Sequence, residues 1–506
     1  MISVGHGSSP FRIQEFIAIA REASTLGLNP DTRVRIERDH SIVLDHAAGD
    51  RPVYGLNTGL GANLSHRIAP DEISGFQLRL LRGRAAAVGE HLSEEVCRGV
   101  LLARILGAAR GASGISPALL DHLIAVFNAG FAPVIPETGS IGAGDLVQNA
   151  HFGLALVGEG ELWRNGARID AATALGEAGL NPPDLAPGDA MVLANHSAVT
   201  TTLSAFAFDR YALNLAMSQC AIVLSFEGFA ANRNILDPEV IALSPAPGYD
   251  RAAKWFREAL GDTADHPRRV QDPVSFRGAA QVTGAGLHGL DHVGTMVETA
   301  LNSVSDSPVV TPDGRLLSTP NFQSPALALG LESLSLTLSM MANCAVQRIQ
   351  RMMSPATSGL PRFLSTAGGD SAGMVPLQKT AVSLAARIRH RAEPVVLDQV
   401  PVSEGVEDMA VLTPLAAGKL TEQAEMSRLL SGLEALVGAQ AMDLRKPSTT
   451  GPLAGRIHRT IRDRVAPLDD DRSLSADIGD AADVIEAVAQ QVMLEDHIGQ
   501  SGTCRD

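Results

Sequence analysis

Aromatic residues make up only 4% of the 506 residues, so a core must rest on Leu, Ala, Val, Ile and Met. The four cysteines, Cys97, Cys220, Cys344 and Cys504, lie far apart and form no CxxC or CxxH pair. No disulfide framework and no metal site are expected, and a reducing cytoplasm fits this usage best. There is no lysine- or arginine-rich block, and the formal charge is -15. That argues against nucleic acid, whose binding surfaces are strongly basic. The longest uncharged apolar stretch, 211–226, is short for a bilayer and is diluted by Asn214, Ser218 and Gln219. It reads as a buried helix, and no membrane partner is expected. The N-terminal stretch has no basic start followed by an apolar run, so no signal peptide is expected. No repeat and no low-complexity tract is evident.

What is present is a globular composition, 45% hydrophobic, in a chain too long for one ordinary domain. The first 190 residues are rich in glycine and proline and carry short helical periods. In 116–130, Leu119, Leu120, Leu123, Val126 and Phe127 fall on one helical face. Ser116 suits the cap of that helix and Pro117 its first turn. Asn165-Gly166 lies between two alternating runs, a hairpin signal. Residues 195–227 then contain neither glycine nor proline, and long helices are expected there and at 331–353, 374–393 and 418–443. The expected architecture is mainly α: a loop-rich N-terminal region, 1–190, and a long-helix bundle, 191–506.

Two glycine patterns invite a nucleotide reading, Gly55 to Gly61 and Gly139 to Gly144. Each follows a stretch interrupted by proline rather than a clean strand, and no P-loop lysine is present. Their meaning comes from order. YGLNTGLG at 54–61, GSIGAGDL at 139–146 and VQDPVSFR at 270–277 resemble the blocks of the histidine and phenylalanine ammonia-lyase family. ANHSAV at 194–199, LNSVSDSPVV at 301–310, NFQSP at 321–325 and VEDMA at 406–410 continue the resemblance.

The resemblance implies a mainly helical homotetramer with each pocket assembled from three chains. It also implies an electrophile, a methylidene-imidazolone formed when an Ala-Ser-Gly tripeptide cyclises and loses two waters. The family pattern G-S-[VIL]-G-A-S-G-D-L here reads Gly139-Ser140-Ile141-Gly142-Ala143-Gly144-Asp145-Leu146. It is one residue short, and the missing residue is the serine. The loop Gly142, Ala143, Gly144 and Asp145 is therefore read as a degenerate electrophile site, and no cofactor is expected. Ser113, in Ala112-Ser113-Gly114, falls at an upstream helix start and reads as a turn or cap residue. Cyclisation of Gly139-Ser140-Ile141 would crowd the attacking nitrogen with a branched Cβ.

By the same resemblance, Tyr54 matches the general base, and Asn195 and Gln271 match polar groups around the electrophile. Arg277 matches the carboxylate-binding arginine, Phe322 a ring beside the pocket, and Glu407 an acid near the substrate amine. The family's Ser-His pair matches Gly83-Arg84, and a family tyrosine matches Val274. Read as residues, a basic Tyr54 needs nearby cations, for which Arg84 and Arg277 are candidates. Arg277 suits a carboxylate because its planar fork donates two parallel bonds. Arg84 lies on what reads as an apolar helix, facing either a substrate anion or a neighbouring acid. His196 is a candidate substrate donor or a satisfied helix-start histidine. Three functions follow. The first is a lyase acting on a small carboxylate without the electrophile. The second is a conventional ammonia-lyase that forms it in another way. The third is a non-catalytic binding or scaffold homologue.

Overall fold

The computed structural model describes residues 1–502 except 6, 23, 64, 70, 71 and 262–267; Cys504 lies outside the described residues. The chain is mainly helical. In its first part α1 is Ile73–Arg82, α2 Pro117–Asn128, β1 Ala132–Pro133, α3 Leu146–Leu156, β2 Glu161–Arg164 and β3 Ala167–Asp170. Further along are α4 Ala198–Phe229, α5 Tyr249–Leu260, α6 Ala279–Leu301, α7 Pro325–Met352, α8 Val375–His390, α9 Thr413–Arg445, α10 Pro452–Arg462 and α11 Ser475–Gly502.

Local chemistry explains several of these limits. The Ser116 hydroxyl accepts the Leu119 N–H at 3.2 Å, and Pro117 opens α2 where its missing N–H costs nothing. The apolar face read from the sequence, Leu119 to Phe127, is fully buried. Strands β2 and β3 pair antiparallel around Asn165 and Gly166, both at positive φ, and β1 adds a third strand beside β2. The Glu94 carboxylate accepts both turn amides, at 2.9 and 2.6 Å. Helix α4 begins at Ala198 rather than Asn195, because residues 195–197 form a separate connection. Ser113 sits in a turn with Ala112 and Gly114 at positive φ, and its hydroxyl accepts the Ile115 N–H.

The chain does not divide near residue 190. One compact unit comprises 1–206, 293–331 and 394–418; the other comprises 207–292, 332–393 and 419–506. The reason is covalent: α4, α6, α7 and α9 each contribute residues to both units, so no single cut separates them. The first unit holds all the described strands. The second is helical, with one continuous core from α4, α5, α7, α8, α9, α10 and α11. The stretch 211–226 belongs to that core, with Met217, Cys220, Val223 and Leu224 fully buried. Inside the second unit Arg348 and Glu434 pair bidentately at 2.6 and 2.9 Å, both almost inaccessible. Two helical stretches, 189–229 and 325–352, are long and apolar enough to cross a membrane by length and composition alone.

Candidate active site

The glycine-rich loop is held by an acid. The Asp145 carboxylate accepts the Ser140 hydroxyl at 2.5 Å, the Thr200 hydroxyl at 2.7 Å and the Thr200 N–H at 2.8 Å. It is 1% exposed, and burial pushes its carboxyl above the usual range although these bonds pull the other way. Ser140 also accepts the Gly142 N–H at 3.0 Å, so its hydroxyl is fully engaged. Asp145 thus ties the loop to the start of α4, a role that no local pattern announced. Gly142 and Gly144 stand at φ 77° and 83°, the left-handed region that favours glycine.

Around Gly144 the predicted residues converge. A Cβ at Gly144 would overlap the amide oxygen of Asn195 and touch the Phe322 ring at 3.7 Å. Asn195 is 4% exposed and donates to the Ser307 carbonyl at 2.9 Å. The Gly144 carbonyl accepts the His196 N–H and the Asn149 amide, each at 3.1 Å. His196 is not a free substrate donor. Its Nε2 donates to the Leu193 carbonyl at 3.1 Å and its Nδ1 accepts the Ala198 N–H at 3.2 Å. Burial, with Arg104 second, holds it well below the ordinary imidazole value, so it is a neutral scaffold residue.

A second group gathers Tyr54, Arg84 and Glu407. Arg84 does not lie on a helix: α1 ends at Arg82, and Arg84 follows its cap, donating to the Leu80 carbonyl at 3.2 Å. Burial lowers its pKa from the guanidinium value, while Tyr54 and Glu407 act on it in the opposite sense. Of the two alternatives posed for it, a substrate anion and a neighbouring acid, the acid is present as Glu407. Tyr54 departs from expectation. Burial, joined by Glu407, raises the phenol above its ordinary value, and the Gly61 backbone and Arg84 only partly oppose this. The Glu407 carboxylate accepts the Ser403 hydroxyl at 2.7 Å. Ser403 was not foreseen; its place four residues before Glu407 was the available signal.

Gln271 and Arg277 belong to the second unit. Arg277 Nη1 donates to Gln271 Oε1, and Arg277 Nε has no protein partner. Gln271 thereby orients the guanidinium and leaves donors for a ligand. Among the described residues no three His, Cys, Asp or Glu side chains cluster as metal ligands.

Residues 11–463 match the model of the aromatic amino acid lyase family. The chain belongs to this family. It is 34% identical over 479 residues to a histidine ammonia-lyase of Symbiobacterium thermophilum, covering 94% of each chain. It is 32% identical to a histidine ammonia-lyase of Treponema denticola, covering 94% of this chain and 95% of that one. Among solved structures it is similar to the ergothioneine-degrading enzyme ergothionase of Treponema denticola, crystallised with desmethyl-ergothioneine sulfonic acid. There the TM-score is 0.92 at 29% identity, over 96% of this chain and 99% of that one. The histidine ammonia-lyase of Trypanosoma cruzi gives 0.88 at 28%, over 97% and 94%. Family membership makes this chain a lyase rather than a mere scaffold.

In this aromatic amino acid lyase Ala143 is followed directly by Gly144, with no serine between them. The place of a side chain at Gly144 is taken by the Asn195 oxygen. The loop's own serine, Ser140, is spent on Asp145 and Gly142.

Proposed function

We propose that this lyase eliminates an amine that departs without an electrophile, from a carboxylate substrate of the amino-acid type. The observation that carries the reading is the direct Ala143-Gly144 junction with Asn195 seated against it. Ammonia is a poor leaving group unless activated. A tertiary amine, leaving from a quaternary ammonium carbon, is already activated by its charge. The similarity to an ergothioneine-degrading enzyme supports this class, because ergothioneine is a trimethylammonium betaine. In the proposed step the Tyr54 phenolate takes the proton on the carbon next to the one bearing nitrogen. The C–H electrons form the carbon–carbon double bond, and the C–N bond breaks with its electron pair leaving on the amine. The products are an α,β-unsaturated carboxylate, a neutral tertiary amine and a protonated Tyr54.

In the first unit Glu407 is assigned the ammonium group and Arg84 an accepting or anionic substituent of the substrate ring; the family resemblance assigns the substrate carboxylate to Arg277, which belongs to the second unit. Phe322 and Asn195 line the side facing Gly144. Exposed apolar residues support assembly into a homotetramer: Val400, Val402, Val406 and Met409 surround Glu407, and Val270 and Val274 flank Gln271.

The test compares histidine with its Nα-trimethylated betaine and with ergothioneine, reading amine release and the absorbance of the unsaturated product. Trimethylamine release with no ammonia from histidine is the expected result. Ammonia release from histidine, with an intact mass lower than the sequence mass by two waters, overturns it. That outcome is the second reading, a conventional histidine ammonia-lyase, favoured by the names of the relatives. Separately, Arg277→Ala is expected to weaken binding of imidazolepropionate by about 1.5–3 kcal/mol in calorimetry, the scale of a charge-assisted bond. Unchanged affinity removes Arg277 from the carboxylate role.

A further inference from the structure

Residues 303–308 form neither helix nor strand, so no backbone ladder holds them. Parts of the candidate site are nevertheless bonded to this segment. The Ser307 carbonyl accepts the Asn195 amide at 2.9 Å. The Ser305 hydroxyl accepts the Ser197 N–H at 2.9 Å, and the Ser197 hydroxyl donates to the Phe322 carbonyl at 2.9 Å. The Ser307 hydroxyl accepts the Thr319 N–H at 3.0 Å, and the Asp306 carbonyl accepts the Thr319 hydroxyl at 2.9 Å. That hydroxyl in turn accepts the N–H of Asn321, the neighbour of Phe322, at 3.2 Å. The segment is thus a template for 195–197 on one side and 319–322 on the other, all within the first unit.

Something must hold the template itself. Asp306 is its only charged residue, and the carboxylate Oδ1 stands 3.0 Å from Arg104 Nη1. The two residues are 3% and 2% exposed. Arg104 Nε and Nη2 and Asp306 Oδ2 have no hydrogen-bond partner of their own, so the ion pair is what compensates each charge. A serine hydroxyl can turn to another partner or to water. A buried charge cannot leave its counter-charge without a large penalty. Arg104 is also a rigid base. It lies inside the helix Glu94–Ala109, where Leu101, Leu102 and Ile105 around it are fully buried.

We propose that Arg104 and Asp306 are positioning residues: their buried ion pair fixes the 303–308 template, which in turn sets the Asn195 amide and Phe322 beside Gly144. This deepens the elimination reading above, and only its activity arm rests on that reading. Neither residue is assigned a contact with substrate. Their effect passes through the Ser307 carbonyl to Asn195 and through Ser305 and Ser197 to Phe322.

The experiment uses the full-length chain. Asp306→Asn alone strands a buried guanidinium and is expected to fold poorly, so the test variant is Arg104→Met with Asp306→Asn, which leaves no uncompensated charge. Amide exchange is followed at Ser197 and Thr319, whose N–H groups bond to the template serines, with Thr200, bonded to Asp145, as the reference. Exchange at Ser197 and Thr319 is expected to rise about tenfold with Thr200 unchanged, the scale of local opening on losing a hydrogen bond. No change at Ser197 and Thr319 overturns the proposal, and so does an equal rise at all three, which marks general loosening. The activity arm reads amine release. The paired variant is expected to lose about 10²-fold in kcat with KM changed much less, the scale of a small misplacement beside the chemistry. In an Asn195→Ala background the same pair of substitutions is expected to cost little more. An equal further loss there overturns the route through Asn195. Changed exchange in a protein whose wild type releases no amine from histidine, its betaine or ergothioneine refutes the elimination reading and leaves the positioning role standing.

Discussion

Replacing Tyr54 by phenylalanine is expected to lower kcat/KM for the betaine by about 10²–10⁴, the usual contribution of a positioned general base. The change removes one oxygen and keeps the ring, so packing around the half-buried side chain is retained. Stability is expected to change by no more than about 1 kcal/mol, because a single hydrogen-bonding group is lost. The pH dependence carries the sign of the argument. The base acts when deprotonated, and burial with Glu407 raises its pKa. In the wild type kcat/KM, which reports the free enzyme, therefore climbs with pH into the alkaline range. The limb in kcat reports the same base in the complex. Both limbs vanish in Tyr54→Phe. A variant keeping more than about a tenth of wild-type kcat/KM contradicts the role, since general-base loss costs at least two decades.

The second large effect is structural. Asp145→Ala is expected to destabilise the first unit by about 3–5 kcal/mol, more than a typical substitution. Three donors lose their acceptor at once: the Ser140 hydroxyl, the Thr200 hydroxyl and the Thr200 N–H. All lie in or beside a buried loop, where an unmet donor costs most. Alanine also tolerates the left-handed backbone, φ 49°, less well than aspartate. Asp145→Asn keeps an acceptor and a residue type that visits this region, so its loss is expected to be smaller. Chemical denaturation of the three proteins, with amide exchange at Thr200, checks the order: alanine worst, asparagine intermediate, wild type best. Equal stability of alanine variant and wild type would mean that the loop is held by something else. Its position explains why the cost is also functional, because residues 142–144 carry the backbone against which Asn195 and Phe322 are arranged.

Much of the fold was legible because its signals are local. The cap at Ser116, the Asn165-Gly166 turn and the run without glycine or proline after Asn195 each predicted the observed element, with errors confined to its ends. The helix expected around 331–353 starts earlier, at Pro325, because proline suits a first turn. Arg84 was misplaced because the apolar residues after it continue a helical pattern that the chain abandons at Gly83. His196 reads from the sequence as a substrate donor or a satisfied helix-start histidine, and the carbonyl and amide that occupy both ring nitrogens decide for the second.

The order of amino acids alone settles the family, the helical class and the covalent fact that Ala143 adjoins Gly144, since each is a matter of composition, spacing or bonding along one chain. Folding had to place Asp145 against Thr200, set the Asn195 oxygen over Gly144, and gather Tyr54, Arg84 and Glu407. It also reversed the expected direction of the Tyr54 shift. These are contacts between residues tens to hundreds of positions apart, and their energies depend on burial and on which charge lies nearest, quantities that exist only once the chain has closed on itself.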